Sequence, residues 1–207
     1  RITVESRRAV DLVSLRLEPV FREISAPYWQ AIGPFPSRWG GHQKTTENVR
    51  SALQEVFPPE KKIDLDATYS GPGEQKVTWH HSNSTDGEYM QAGLNFVKVL
   101  GSEAKSHICY AVTFIHCPEK RKARLSIGVD WWARAWLNGE PVSSERPTGQ
   151  VEKDAAQFFT LSPTKADITL EEGVNTLLLK VHSGSGGNRF KAAITDPGDL
   201  RFSPNPE

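Results

Sequence analysis

The 207-residue sequence predicts an all-β fold, an antiparallel β-sandwich or jelly roll carrying one short helix. Three observations lead there. Short runs alternate apolar and polar residues with a period of two. Clusters of Gly, Pro and Asn separate those runs at turn spacing. One stretch alone carries a helical period. Many short strands with hardly a helix leave a two-layered β structure as the way to bury their apolar faces.

In chain order, "RRAVDLVSLRLEPV" (7–20) is a strand-like run ended by Pro19. Residues 1–25 are read in two ways, as the closing strand and linker of a preceding sandwich domain or as an edge strand of this one. The main jelly-roll domain then spans 26–207, with its sandwich between about 28 and 198. "YWQAIGPF" (28–35) is a short strand ending in a Gly-Pro turn. The helix is expected over 47–57, where Val49, Leu53 and Val56 or Phe57 share a face, Thr46 caps it and Pro58-Pro59 stop it. "QKVTWHHS" (75–82) alternates. "SHICYAVTFIHC" (106–117) sets Ile108, Tyr110, Val112 and Phe114 against Cys109, Ala111, Thr113 and Ile115. "ARLSIGVD" (123–130) places Leu125, Ile127 and Val129 on one face. "ARAWLNGEPV" (133–142) is a hairpin whose Asn138-Gly139 suits a two-residue type I′ turn, because both central residues need φ above zero. "VNTLLLKVHS" (174–183) and "NRFKAAITD" (188–196) are the last strands. The glycine-rich "HSGSGGNR" (182–189) between them precedes no helix, so it reads as a loop and not as a phosphate cradle.

Lys plus Arg equals Asp plus Glu at 25 each, so no net charge steers the chain to nucleic acid or an anionic membrane, and neither is expected as a partner. The basic "EKRKAR" (119–124) reads as a solvated turn. No apolar run approaches the roughly 20 residues of a membrane span. No signal peptide is visible and the chain starts at Arg1, so a piece of a longer protein is expected. Cys109 and Cys117 lie at the two ends of one expected strand. At about 3.3 Å per residue they are some ~26 Å apart, beyond the ~7 Å reach of a disulfide, and two free buried thiols follow.

Little in the sequence demands catalysis. His80 and His81 are strand neighbours facing opposite sides, so they cannot chelate one ion together. No HExxH, CxxC or GxSxG pattern occurs. The carboxylates form no recognisable catalytic pair, although glycosidase carboxylates sit on distant strands where spacing does not reveal them. No cofactor is expected. A structural calcium ion stays open, with Asp130, Asp154 and Asp196 as oxygen donors, against the commoner role of such residues as turn formers.

Five motifs then occur in a familiar order: "YWQAIGPFP" (28–36), "VFPPEKKIDLDATYSGPGEQKVTWHHS" (56–82), "CYAVTFIHCP" (109–118), "AWLNGEPV" (135–142) and "LEEGVNTLLLKV" (170–181). Together, from about 28 to 196, they resemble the galactose-binding-domain-like jelly-roll modules appended to extracytoplasmic bacterial enzymes of polysaccharide breakdown. They are also similar to the accessory sugar-binding domain of β-galactosidase-type glycoside hydrolases. "AVDLVSLRLEPV" (9–20) is similar to the last strand of such a jelly roll, which favours a tandem neighbour before this domain. The chain departs from the family at Asp130, where one aspartate and "WWAR" replace an acidic pair. The resemblance implies a non-catalytic carbohydrate-binding or accessory module of a larger secreted, extracellular or periplasmic protein. Its partners would be a glycan and neighbouring domains of the same chain. A structural or docking domain without a sugar ligand is the first alternative, and a glycoside hydrolase or lyase the second.

The six tryptophans sharpen the question. Trp29 and Trp79 match family positions and are expected in the core. Trp39 sits in a Gly-rich loop and is a binding candidate. If Ala135 and Leu137 point into the sandwich, Trp136 and Arg134 point away from it, and Trp132 shares their parity. A sugar site needs an aromatic face for the pyranose C–H side and polar groups for its hydroxyls. Trp131, Trp132 and Arg134, with Arg189 or Asn188 from the glycine-rich loop, are the residues expected to supply both. Trp131 or Trp132 is expected to be partly exposed at one end of the sandwich; the competing reading is that the tryptophans pack against a sheet or a neighbouring domain.

Overall fold

The computed structural model describes residues 22–37, 51–83, 93–105, 107–129, 132–142, 164–182, 188–196 and 199–207, with the backbone alone for Arg22, Trp132, Thr164 and Asp196. It is all-β, built from antiparallel sheets with a few short helices. One sheet runs β1 (Arg22–Ser25), β13 (Arg189–Asp196), β8 (Arg121–Val129), β11 (Thr164–Leu170), with β6 (Gly93–Asn95) also on β13. The second runs β10 (Glu140–Pro141), β9 (Trp132–Leu137), β12 (Gly173–His182), β7 (Ile108–Cys117), β2 (Tyr28–Phe35), β5 (His80–Asn83), with β14 (Arg201–Ser203) also on β7. β3 (Tyr69–Ser70) and β4 (Lys76–Val77) form a small ribbon.

The period-two pattern of β7 explains the layering. Its odd residues Cys109, Ala111, Ile115 and Cys117 join Trp29, Leu177, Leu179, Val181, Leu125, Phe190 and Ile194 in the core between the sheets. Its even residues Ile108, Tyr110, Val112 and Phe114 form a second core on the other face, with Ile32, Phe35, Ala52, Val77 and Leu178. β7 is therefore buried on both faces, which is why its sequence is apolar almost throughout. The second core is closed by residues 51–79, which cross the outer face of the sheet and bring Phe57, Ile63, Leu65, Tyr69 and Trp79 onto it. Leu125 and Val129 are buried in the first core and Ile127 packs against it, as their shared parity requires.

Lys180, on the outer face of β12, is fully buried under this strap. Its ammonium donates to the Leu53 carbonyl at 3.0 Å, to the Glu55 carbonyl, and to Glu60 Oε1 at 2.9 Å. The Tyr110 hydroxyl donates to the same Glu60 oxygen. The rings of Phe57 and Tyr110 stand 5.5 and 5.7 Å from the ammonium. A buried cation thus meets a carboxylate, two carbonyls and two aromatic faces, the compensation a charge needs away from water.

Several expectations change in detail. Of the helix expected at 47–57, residues 51–54 are helical, 55–57 are not, and 47–50 lie outside the described residues. Pro58-Pro59 do not simply stop a helix but open a new turn, Pro58–Lys61, because proline at the first helical positions forgoes an N–H that has no partner there. A further short helix, Phe96–Leu100, was not legible; Asn95 caps it, its Oδ1 accepting from Val97 N at 3.0 Å and Lys98 N at 3.3 Å. The stretch 75–82 divides into β4 and β5 around Thr78-Trp79. Gly33-Pro34 lies within β2, where the register on β7 shifts, and the strand continues to Phe35. The basic cluster is partly strand, since β8 starts at Arg121, whose guanidinium meets Asp199 at 2.8 Å. β1 pairs with β13 from Arg22↔Asp196 to Ser25↔Ala193, so residues 22–25 are part of this sheet.

Candidate functional site

The hairpin at one end of the sandwich sets the register of the strand that carries the tryptophans. Asn138 has φ 53° and Gly139 φ 84°, the pair of positive angles a type I′ turn needs. The turn is sewn to its neighbour by side-chain amides. Asn138 Nδ2 donates to Asn175 Oδ1 at 2.9 Å, and Thr176 N donates to Asn138 Oδ1 at 2.8 Å. The fully buried Asn175 also donates to the Glu171 carbonyl at 2.7 Å and accepts from Glu171 N at 2.9 Å. With the register pinned there, Leu137, Ala135 and Ala133 face the inter-sheet core.

Trp136 faces the other way and packs against the second core. Arg134, of the same parity, is exposed but gives one N–H to the Leu53 carbonyl at 3.1 Å. Its position is above Lys180, its backbone partner on β12, so it fastens the strap. Trp29 is fully buried, its Nε1 donating to the Ala26 carbonyl at 3.0 Å, and meets Phe190 edge-on at 4.7 Å. Trp79 is half-buried against the second core. These are structural tryptophans.

Four described strand ends define the opposite end of the sandwich. β8 ends at Val129, which pairs with Phe190 near the start of β13. β9 starts at Trp132, which pairs with His182 at the end of β12. The strand ends that flank 130–131 and those that flank 183–187 therefore leave the two sheets at the same end of the sandwich. Trp39, Asp130, Asp154 and Trp131 lie outside the described residues, as do the side chains of Trp132 and Asp196. Arg189 is half-buried at this end.

Asn188 requires a correction. It was expected as a ligand donor, but it is fully buried, and its Nδ2 donates to the Ala104 carbonyl at 2.8 Å and the His107 carbonyl at 3.4 Å. Its own carbonyl accepts from Phe96 N at 2.8 Å. It braces Phe96, Ala104 and His107 against β13. A short polar residue beside glycines looks like a loop residue in sequence; the loop it holds is more than 80 positions away.

The two thiols are free and buried, as the strand reading required. Burial pushes the Cys109 thiol well above its ordinary range. Among the described residues no group of three or more His, Cys, Asp or Glu is placed to hold a metal ion. His80 and His81 are both exposed on the edge strand β5. A shallow groove of about 400 Å³ on the outer face of β8 and β11 is lined by Lys122, Arg124, Asp167, Thr169 and Thr195, with Arg124 Nε on Asp167 Oδ1 at 3.0 Å. It carries no aromatic ring.

One cluster was missed in the sequence. Tyr28 and Gln30 on β2 and His81 and Asn83 on β5 share the outer face of the second sheet, beyond the edge of the strap. The alternation of β2 reveals that Tyr28 and Gln30 oppose the core residues Trp29 and Ala31, but nothing local shows which strand lies beside them.

No family model and no curated protein matches the chain significantly. Among solved structures, the chain is similar to the CBM35 from Cellvibrio japonicus Abf62, at 16% identity and a TM-score of 0.32, over 58% of this chain and 83% of that one.

Proposed function

We propose that the chain is a non-catalytic glycan-binding or accessory module of a larger secreted protein that acts on polysaccharide. The observation that supports it is the convergence at one end of the sandwich. The strand ends around Trp131-Trp132 and around Arg189 leave the two sheets together there, as the pairings Phe190↔Val129 and His182↔Trp132 require. Sandwich ends are where loops can vary without disturbing the core, and where ligands are commonly met. Two adjacent aromatics and a guanidinium are the groups a pyranose needs, a flat apolar surface and a hydrogen-bond donor. Trp39 stays a candidate from its glycine-rich stretch. Arg134 and Asn188 serve the fold and leave the proposed site to Trp131, Trp132 and Arg189.

Affinity electrophoresis on a panel of soluble polysaccharides tests this. Trp131→Ala and Trp132→Ala are expected to weaken retention severalfold and leave the melting temperature nearly unchanged. A core tryptophan behaves in the opposite way, since its truncation costs about 3–5 kcal/mol. If both variants unfold, the tryptophans are core and the site is wrong. If the wild type is retained by no polysaccharide, the docking reading replaces the glycan reading.

A further inference from the structure

We infer that the β2–β5 edge of the second sheet is a separate binding face for a neutral glycan, built on Tyr28 and rimmed by Gln30, His81, Asn83 and Asn205. The inference rests on the glycan-binding reading above, but not on the site proposed there.

The fold positions the five residues. Tyr28 pairs with Asn83 and Gln30 with His81 in the register of β2 on β5. Both rows lie on the outer face, because the alternate residues Trp29 and Ala31 are in the inter-sheet core. Asn205 arrives from the end of the chain, where β14 takes over from β2 along β7, and Gln30 Nε2 donates to its Oδ1 at 3.4 Å. Among the described residues β5 is the last strand of its sheet.

The chemistry selects the ligand. Tyr28 is a large apolar surface left 40% exposed while its neighbour on the strand, Trp29, is fully buried. His81 lies nearly parallel to it, with ring planes at 26° and centroids 6.3 Å apart. At that distance the rings are displaced sideways, so His81 steadies the phenol ring without covering its face. His81 is itself steadied by Asn83, Nε2 to Oδ1 at 3.1 Å. Gln30 has a second N–H and a carbonyl oxygen beyond its bond to Asn205, and Asn83 keeps its amide N–H pair. An open aromatic face ringed by amides that both donate and accept matches a pyranose, whose C–H side is apolar and whose hydroxyls do both. None of the five side chains is Lys, Arg, Asp or Glu, and the polar groups they present are chiefly uncharged amides, which suit a neutral ligand.

The test is affinity electrophoresis of the 207-residue chain in gels containing galactomannan, xyloglucan or mixed-linkage β-glucan, with polygalacturonate as the anionic control. Tyr28→Ala is expected to weaken binding to a neutral polysaccharide roughly tenfold, about what one lost aromatic platform implies. Tyr28→Phe, which keeps the ring, is expected to bind like the wild type, and both variants to melt with it. Binding by Tyr28→Ala equal to that of the wild type overturns the inference. So does retention of the wild type by polygalacturonate alone. If Tyr28→Ala binds normally and Trp131→Ala or Trp132→Ala does not, this face is refuted and the tip site stands. If Tyr28→Ala is impaired and both tryptophan variants bind normally, the tip site falls and this face stands. If the wild type binds none of the polysaccharides, both fall together.

Discussion

Gly139 separates backbone strain from packing. A Cβ placed on it meets nothing within 4 Å, yet its φ is 84°. Gly139→Val should therefore cost stability through conformation alone, about 1–2 kcal/mol for a side chain forced into the left-handed region. Urea unfolding reads this directly, and an unchanged midpoint would remove the type I′ assignment. Two buried residues contribute to the alkaline limit. Burial, followed by the hydrogen bond to Glu60, raises the Tyr110 hydroxyl far above its ordinary 10.0, and burial raises the Cys109 thiol above its ordinary 9.0. Both keep their protons in the folded chain at a pH where the unfolded chain has released them. The folded state then binds more protons, so stability falls as pH rises through and beyond those ordinary values. Lys180 acts in the opposite sense. Burial lowers its ammonium below 10.5, so the unfolded chain binds the extra proton and stability rises with pH up to that value. Above about 10.5 that contribution is flat, and Tyr110 and Cys109 are expected to remove up to about 1.4 kcal/mol per pH unit each. Denaturant melts at pH 10.5 and 11.5 should show the decline, and Tyr110→Phe should make its slope shallower by up to about 1.4 kcal/mol per pH unit. An equal slope in that variant would mean that Tyr110 ionises freely in the folded chain.

Among the elements, the strap of residues 51–79 is held at its start by one buried side chain together with Arg134 and its apolar contacts. Lys180 joins the Leu53 and Glu55 carbonyls and Glu60 under the rings of Phe57 and Tyr110. Lys180→Met would leave the Glu60 carboxylate without its cation and take the lysine's bonds from the Leu53 and Glu55 carbonyls, and is expected to cost about 3 kcal/mol or more. Lys180→Met combined with Glu60→Leu should recover part of that loss, because the second change removes the orphaned charge. Chemical denaturation of the two variants checks this. A single-variant loss below about 1 kcal/mol would mean that apolar contact alone holds the strap. The row Ile108, Tyr110, Val112 and Phe114 of β7 was visible in the sequence, but that it faces outward and what covers it were not. A lysine within "LLLKV" looks like a solvent-facing break in an apolar run. Its burial depends on carbonyls 125 and 127 positions away, which no local pattern reports.

Across the whole molecule, local physics and long-range closure divide the account. The sequence by itself determined the all-β class, the strands 108–117, 121–129, 173–182 and 189–196 to within a few residues, the alternating rows of the first two, and the hairpin at Asn138-Gly139. Each of those follows from side-chain alternation or from a turn whose positive φ angles call for Asn and Gly, and both are properties of neighbouring residues. The free state of Cys109 and Cys117 was legible for the same reason, because an extended strand holds its ends apart. The tertiary structure alone decided that the sheet has a second core, that Arg134 and Asn188 are braces, and that Tyr28 stands beside His81 with Asn205 within reach of Gln30. Those facts depend on which distant strand or strap lies against each residue. Sheet pairing over more than a hundred positions is set by the total burial of apolar surface, and that quantity exists only once the whole chain has closed.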